Sequence, residues 1–300
     1  MLEPNVLLIK PASGVFLKSE KTQAYFNRKL RENIKCALHR NKIEFNELRQ
    51  GRMRFYLYAD ELEKCLAVLR RVFGLHSLAL AYEFEFTDLD EIAEKAAKFF
   101  AGRFEKNESF AVECSRTGMH YFSSQEVERK VGARIVKNFG LKVDLKKPDR
   151  VLHIEVRNEQ AHLYADEIKC FGGLPTGVEG NVALFFSGKD EELVAGWLML
   201  KRGCNVFPVV EKESKELEGA IKPLITWNCY RKFALTPVSE LKELIKERDI
   251  LAIVKADTET TKEAFAKYKE FDSKQVLAVF RPLLFYDEAK LKGPIKIIKS

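Results

Sequence analysis

Phe110–Asp144 reads FAVECSRTGMHYFSSQEVERKVGARIVKNFGLKVD and holds a strand followed by a helix in one run. Phe110–Arg116 is strand-like. Ser123 and Ser124 each suit the start of the helix, and with Ser123 at the cap Glu126 stands three residues on, as a capping box requires. Gly140 is a natural C-terminal stop. Upstream, Thr87 and Asp88 cap a helix running to about Arg103; downstream, Arg150–Val156 alternates as a strand and Gln160–Ala165 as its hairpin partner. Residues 84–172 therefore predict a small α+β unit.

Two further units flank it. Toward the N-terminus, Asn5–Lys10, Arg54–Ala59 and Ser77–Phe86 read as strands, and Lys21–His39 and Glu61–Phe73 as helices, the second capped by Asp60. This unit is α+β and ends near residue 83. Toward the C-terminus, the Gly-rich stretch Phe171–Gly180 (FGGLPTGVEG) marks a boundary. The apolar run Val182–Phe186, a turn at Ser187-Gly188, a helix to Arg202 and the strand Asn205–Val210 form a βαβ unit. Leu251–Val254 and Val276–Phe280 add strands, so 178–300 predicts an α/β domain whose ligand crevice lies at the C-terminal ends of parallel strands.

Composition narrows the classes. The 300 residues are 46% hydrophobic and 32% charged, enough for ordered domains with their own cores. No apolar run approaches the ~20 residues that span a bilayer, and the start lacks the basic-then-apolar order of a secretory signal, so a cytoplasmic protein with no membrane partner is expected. The six cysteines, at 36, 65, 114, 170, 204 and 229, form no C-x-x-C pair, so no metal site is expected. Free thiols suit most of them, with a disulfide as the alternative. The net charge of +7 is uneven: residues 1–83 hold 15 Lys plus Arg against 9 Asp plus Glu. Such a block suits a phosphate-bearing partner, although a solvated surface explains it equally.

The central unit closely resembles the THUMP domain of tRNA 4-thiouridine sulfurtransferases. The matching residues are Arg116, Gly118 and His120, the run Ser124-x-Glu-x-Glu-Arg-x-Val-Gly132, and Asp144-Leu-Lys-x-Pro-Asp149. The first unit resembles the same family's ferredoxin-like domain through Phe16-Leu17-Lys18 and Phe26–Ile34 (FNRKLRENI). The resemblance implies that the two domains together grip the acceptor end of tRNA. Lys18, Lys21, Arg28 and Arg31, and then Arg116, His120, Ser124, Arg129, Lys130 and Arg134, are the expected RNA-binding residues. The helix start at Ser123/Ser124 would offer N–H groups to a phosphate. Without the resemblance, a helix cap and a wet helix face account for the same residues.

The third unit resembles the family's PP-loop ATP-pyrophosphatase domain and then departs from it. Gly173-Leu174-Pro175-Thr176-Gly177, Val194-Ala195-Gly196, Lys201-Arg202-Gly203 and Arg281-Pro282-Leu283 match. Where the family carries Ser-Gly-Gly-x-Asp-Ser, this chain has Ser187-Gly188-Lys189-Asp190-Glu191-Glu192. A loop that surrounds pyrophosphate with backbone N–H groups needs small residues and little negative charge. Lys189, Glu191 and Glu192 are instead what a charged helix cap uses. The family's Thr-Gly-Glu is replaced by Lys255-Ala256-Asp257, and the family's sulfur-carrying cysteine lies beyond the last matched segment. Cys204 and Cys229 stand elsewhere.

These readings predict a ferredoxin-like domain over 1–83, a THUMP domain over 84–172 and a reduced parallel-sheet PP-loop-like domain over 178–300. They predict a tRNA-binding protein that is catalytically degenerate, with no catalytic residues. The enzyme alternative is a sulfurtransferase that adenylates uridine with ATP and Mg²⁺ and takes sulfur from a separate donor protein; a protein-binding regulatory module is a third. A sulfur-donor or other partner protein and a homodimer complete the expected partners.

Overall fold

A computed structural model describes residues 2–51, 53–105, 107–229 and 234–300. In chain order the elements are β1 (Val6–Pro11), α1 (Ser13–Phe16), α2 (Glu20–Arg40), β2 (Glu47–Gln50), β3 (Phe55–Tyr58), α3 (Leu62–Leu69), β4 (Leu75–Glu85) and α4 (Leu89–Phe100). There follow β5 (Ser109–Thr117), α5 (Ser124–Phe139), β6 (Lys142–Val143), β7 (Arg150–Arg157), β8 (Gln160–Tyr164) and β9 (Ile168–Gly172). The remainder is β10 (Asn181–Phe185), α6 (Asp190–Arg202), β11 (Asn205–Val210), α7 (Lys215–Ile225), β12 (Thr236–Pro237), α8 (Leu241–Arg248), β13 (Ile250–Val254), α9 (Lys262–Ser273), β14 (Ala278–Phe280) and α10 (Glu288–Lys299).

The contacts gather these elements into two units. The first holds 1–10, 43–70 and 77–169, the second 11–42, 71–76 and 170–300. In the first, strands run in the order β2-β3-β1-β4-β8-β7-β5-β6. β5 pairs parallel with β7 while β7 and β8 form the antiparallel hairpin that the alternation of Arg150–Val156 and Gln160–Ala165 predicts. Helices α4 and α5 seal one face: Ile92, Ala93, Ala96, Phe99 and Phe100 meet Val127, Val131 and Ile135 over Phe110, Leu152 and Ile154. Each such Ile, Leu or Phe contributes about 1.5–3 kcal/mol by leaving water.

The same sheet carries a buried ion pair. Arg54 and Glu155 are almost wholly enclosed and bonded through two nitrogens of the guanidinium. Arg157 and the Tyr164 hydroxyl add donors to the carboxylate. Burial by itself would raise the Glu155 pKa, but the two guanidinium groups outweigh it and the carboxyl titrates below its ordinary value.

The second unit has the all-parallel order β12-β11-β10-β13-β14. Its core joins Val182 and Leu184 of β10 to Val194, Trp197 and Leu200 of α6, with Trp227, Ile221 and Leu291. Helix α2 belongs to this unit, and Asn33 donates from it to the Thr176 carbonyl at 3.2 Å. The stretch read as a bare boundary, Phe171–Gly180, is therefore packed: Thr176 is fully buried, and Gly173, at φ +78, lies so near the Lys201 carbonyl that a Cβ would come within 2.3 Å. Glycine is needed there for contact as well as conformation.

Candidate nucleic-acid interface and nucleotide loop

Helix α5 begins as its sequence dictates. The Ser123 hydroxyl accepts from the Glu126 N–H at 3.2 Å, and the Glu126 carboxylate takes the Ser123 N–H at 2.7 Å, closing the capping box. Those donors hold the Glu126 carboxyl below its ordinary pKa. Ser124 lies one residue inside the helix. At the far end Gly140 closes the helix at φ +66.

The loop between β5 and α5 is pinned on both sides. Arg116 Nη1 donates to His120 Nδ1 at 3.0 Å, and His120 Nε2 lies 2.6 Å from the Asn158 carbonyl. A guanidinium only donates, so Nδ1 accepts and Nε2 carries the proton given to Asn158. Gly118, at φ +109, would bring a Cβ within 2.6 Å of Asn158 Oδ1. The cationic residues of α5 differ in availability. Lys130 pairs with Asp90 of α4 at 2.6 Å and Arg134 approaches the same carboxylate at 3.7 Å, whereas Arg129 is exposed and its Nε turns back to the Gln125 carbonyl. The run Asp144–Asp149 is a structural turn: Asp144 accepts from the N–H groups of Lys146 and Lys147, and Asp149 from the N–H and hydroxyl of Ser109.

Lys18, Lys21, Arg28 and Arg31 are exposed, Lys18 ahead of α2 and the other three along it, and the Arg28 guanidinium lies over the Tyr25 ring at 5.5 Å. Their spacing sets them opposite the face that buries Phe26, Leu30 and Ile34. They belong to the second unit and Arg116–Arg134 to the first, so the expected RNA-binding residues form two sets.

In the second unit the loop between β10 and α6 is occupied by its own side chain. Glu192 Oε2 accepts from the N–H groups of Ser187 at 2.7 Å, Gly188 at 3.0 Å and Lys189 at 3.0 Å, and Oε1 accepts the Ser187 hydroxyl at 2.7 Å. Gly188 is left-handed at φ +100, and the three N–H groups converge on one point as in an anion-binding nest. The adjoining cleft, 530 Å³, opens at the C-terminal ends of β10 and β13 and is lined by Glu191, Glu211, Asp257 and Glu259 with Lys189, Lys255 and Lys267. Arg281, in the surviving Arg-Pro-Leu run, is fixed between Asp257 and Asp272 over the Tyr268 ring. Burial pushes the Cys204 thiol up to about 11 and that of Cys229 up to about 12, so neither is a thiolate at neutral pH. Among the described residues no group of His, Cys, Asp and Glu could hold a metal ion, all six cysteines are free, and no helix is long and apolar enough to cross a membrane.

Some residues that shape these sites were not singled out by motif. Asp90 and Asn158 act through side-chain or backbone pairing across the fold, which spacing along the chain does not reveal. Met119 and Tyr121 carried a signal, two large apolar residues in a polar loop, and are 100% and 76% exposed.

Residues 86–166 match the family described as THUMP domain, and residues 6–79 match the ThiI ferredoxin-like domain. A protein of Methanobrevibacter smithii named probable tRNA sulfurtransferase is 35% identical over 64% of this chain and 50% of its own length. The chain thus spans about half the length of the curated relatives it matches. The crystal structure of PH1313 from Pyrococcus horikoshii Ot3 superposes with a TM-score of 0.87 at 26% identity, covering 99% of this chain and 100% of that one. A 4-thiouridine synthetase crystallised with RNA and bound ATP shares the fold, with a TM-score of 0.80 at 23% identity over 99% of this chain and 85% of the other. With its ferredoxin-like and THUMP domains in tandem, the chain belongs to the ThiI-type, tRNA sulfurtransferase-related family.

Proposed function

We propose that this chain is a cytoplasmic RNA-binding protein that takes the acceptor end of tRNA and does not itself carry out ATP-dependent thiolation. Residues 1–83 and 84–172 hold the RNA, while 178–300 serve as a PP-loop-like domain with a structural or partner-docking role. A single observation carries the loss of catalysis: the nest that would receive pyrophosphate is filled by the Glu192 carboxylate. A nucleotide entering it would have to displace four hydrogen bonds to a charged acceptor, each worth about 1.5–3 kcal/mol. It would also bring its own negative charge against Glu191, Glu211, Asp257 and Glu259.

The RNA side rests on the THUMP domain and on the exposed cations of α2 and α5. A sulfur-donor protein and a second copy of the chain are the protein partners consistent with a subunit that presents tRNA to another enzyme. The test is a gel shift with tRNA and with the same transcript lacking the acceptor stem. Salt-sensitive binding of the first alone supports the proposal; equal retardation of both transcripts, or of neither, overturns the acceptor-end reading. The competing enzyme reading, adenylation of uridine with sulfur from a separate donor, requires Mg-ATP binding.

A further inference from the structure

We propose that the cavity beside the last turn of α6 binds a small phosphate monoester with an apolar or aromatic body, at a site separate from the nucleotide loop. The inference goes beyond the RNA-binding reading and does not depend on it. The cavity measures 690 Å³, a size that suits a small organic molecule. His76, near the start of β4, and Lys201 and Arg202, at the end of α6, bring basic groups to its wall, and no Asp or Glu lines it. Every lining residue belongs to the second unit.

The runs that this chain shares with the PP-loop pattern gather here, and the runs that depart from it gather elsewhere. Gly173-Leu174, Lys201-Arg202 and Pro282 come from three of the matched runs and line the cavity. Lys189, Glu191 and Glu192, with Lys255, Ala256 and Asp257, stand where the pattern is broken, and they line the cleft of 530 Å³ instead. Packing ties the first group together: the Leu174 N–H donates to the Lys201 carbonyl at 2.9 Å, and Gly173 lies too close to that carbonyl for a side chain. That contact fixes the backbone that carries Lys201 at the wall. It accounts for the glycine and leaves the basic side chains unexplained.

Charge favours a phosphate as the occupant. Among the described residues none of His76, Lys201 and Arg202 has a carboxylate partner, and Lys201, only partly exposed, sets its ammonium 5.1 Å from the centre of the Trp197 ring. Asp287, next to the lining residue Tyr286, is occupied in capping α10, where it accepts the Lys290 N–H at 2.8 Å. Basic residues in a last turn complement the helix dipole, which accounts for Lys201 and Arg202 but not for His76 of β4. A phosphate dianion answers such a group more fully than a carboxylate does. The rest of the wall is largely apolar, with Leu174, Leu198, Met199, Pro282 and the Tyr286 ring, and suits an organic body rather than the sugar–phosphate backbone of RNA. Mg-ATP, whose phosphates are already met by the metal, is not such a ligand.

The test is a calorimetric titration of the full chain with phenyl phosphate, with benzoate as the singly charged comparator. Phenyl phosphate should saturate a single site and bind about 10-fold more tightly than benzoate. Lys201→Met and Arg202→Met, which keep an apolar stem, should each weaken it about 10-fold, and so should His76→Gln, which lies outside α6. Melting temperatures should stay at the wild-type value, because His76 and Arg202 are exposed and Lys201 partly so. No saturable heat with the wild type, or binding that the three variants leave unchanged, would overturn the site. A loss in Lys255→Met in their place would move the ligand into the nucleotide cleft and overturn it equally. Displacement of phenyl phosphate by tRNA, with the three substitutions weakening tRNA in parallel, would assign these basic groups to RNA and overturn the small-molecule site while leaving RNA binding intact.

Discussion

Helices α5 and α6 start alike and differ in how much of the preceding loop one glutamate takes. Each follows a strand, each is preceded by a serine-containing loop, and each carries a glutamate as its third residue. In α5, Glu126 reaches back to Ser123 and closes a local capping box. In α6, Glu192 reaches further and takes three loop N–H groups together with a hydroxyl. The N–H groups around Gly188 converge on one point, and the Glu192 carboxylate is the anion that they hold. How many loop N–H groups a helix start leaves free is thus decided by the reach of one side chain, a property that the strand–loop–helix pattern does not report.

The largest effect should come from removing that anion. Glu192→Ser restores a small hydroxyl at the position, and the emptied nest should bind inorganic pyrophosphate about 100-fold more tightly than the wild type, a difference of about 2.7 kcal/mol. Calorimetric titration of both proteins reads it directly. No gain in the variant would mean that the loop collapses without Glu192 and was never a preformed site.

Gly118 and Gly188 sharpen the same contrast through stability. Both are left-handed, at φ +109 and +100, and alanine at either position should cost about 1–3 kcal/mol of backbone strain. At Gly118 the new Cβ also meets Asn158 Oδ1 at 2.6 Å, while at Gly188 the nearest atom is Leu217 Cδ2 at 3.1 Å. Urea midpoints should therefore fall further for Gly118→Ala, provided each unit's transition is followed separately.

The cations of α5 offer a smaller effect. Arg129→Ala should weaken tRNA binding across sequences and reduce the salt slope by about 1, as the loss of one phosphate contact would. Lys130→Ala and Arg134→Ala should do less, because both share the Asp90 carboxylate. Asp90→Asn, which frees both, should tighten binding. Equal losses at all three cations would mean that RNA displaces Asp90.

The smallest effect concerns pH. Hydrogen bonds from the Ser123 N–H and hydroxyl hold the Glu126 pKa below that of an unfolded glutamate. A group depressed in this way stabilises the fold above its unfolded pKa, and the contribution disappears as pH falls through the folded value. The protection of the first-turn amides of α5, the ratio of intrinsic to observed exchange, should accordingly fall as the solution is acidified past the ordinary glutamate range. Glu126→Gln should abolish that dependence.

The same two helices show what the sequence made legible. Ser123, Glu126 and Gly140 were enough to place α5 and its capping box, because those signals are local. The βαβ order of β10, α6 and β11 followed from an apolar run, a turn and a second run. Glu192 could be read as hostile to phosphate by charge, but its four hydrogen bonds depend on the curl of the loop, which one dimension does not carry. Strand β9 ends on the edge of the glycine-rich stretch and was missed there, since Gly172 and Gly173 signal a break while the backbone before them continues extended. Helix α2 was found by its periodicity, yet its packing beside Thr176 is a contact between residues 143 positions apart. Pro223 and Pro294 within α7 and α10 obscured those helices, a proline being the strongest local argument against one.

The most direct measurement is a calorimetric titration of the purified wild-type chain with Mg-ATP. With Glu192 seated in the nest, no saturable heat is expected up to millimolar nucleotide. Micromolar affinity that is abolished by Ser187→Ala would contradict it, and would place the intact nucleotide loop, and with it the thiolating enzyme, ahead of the RNA-holding protein.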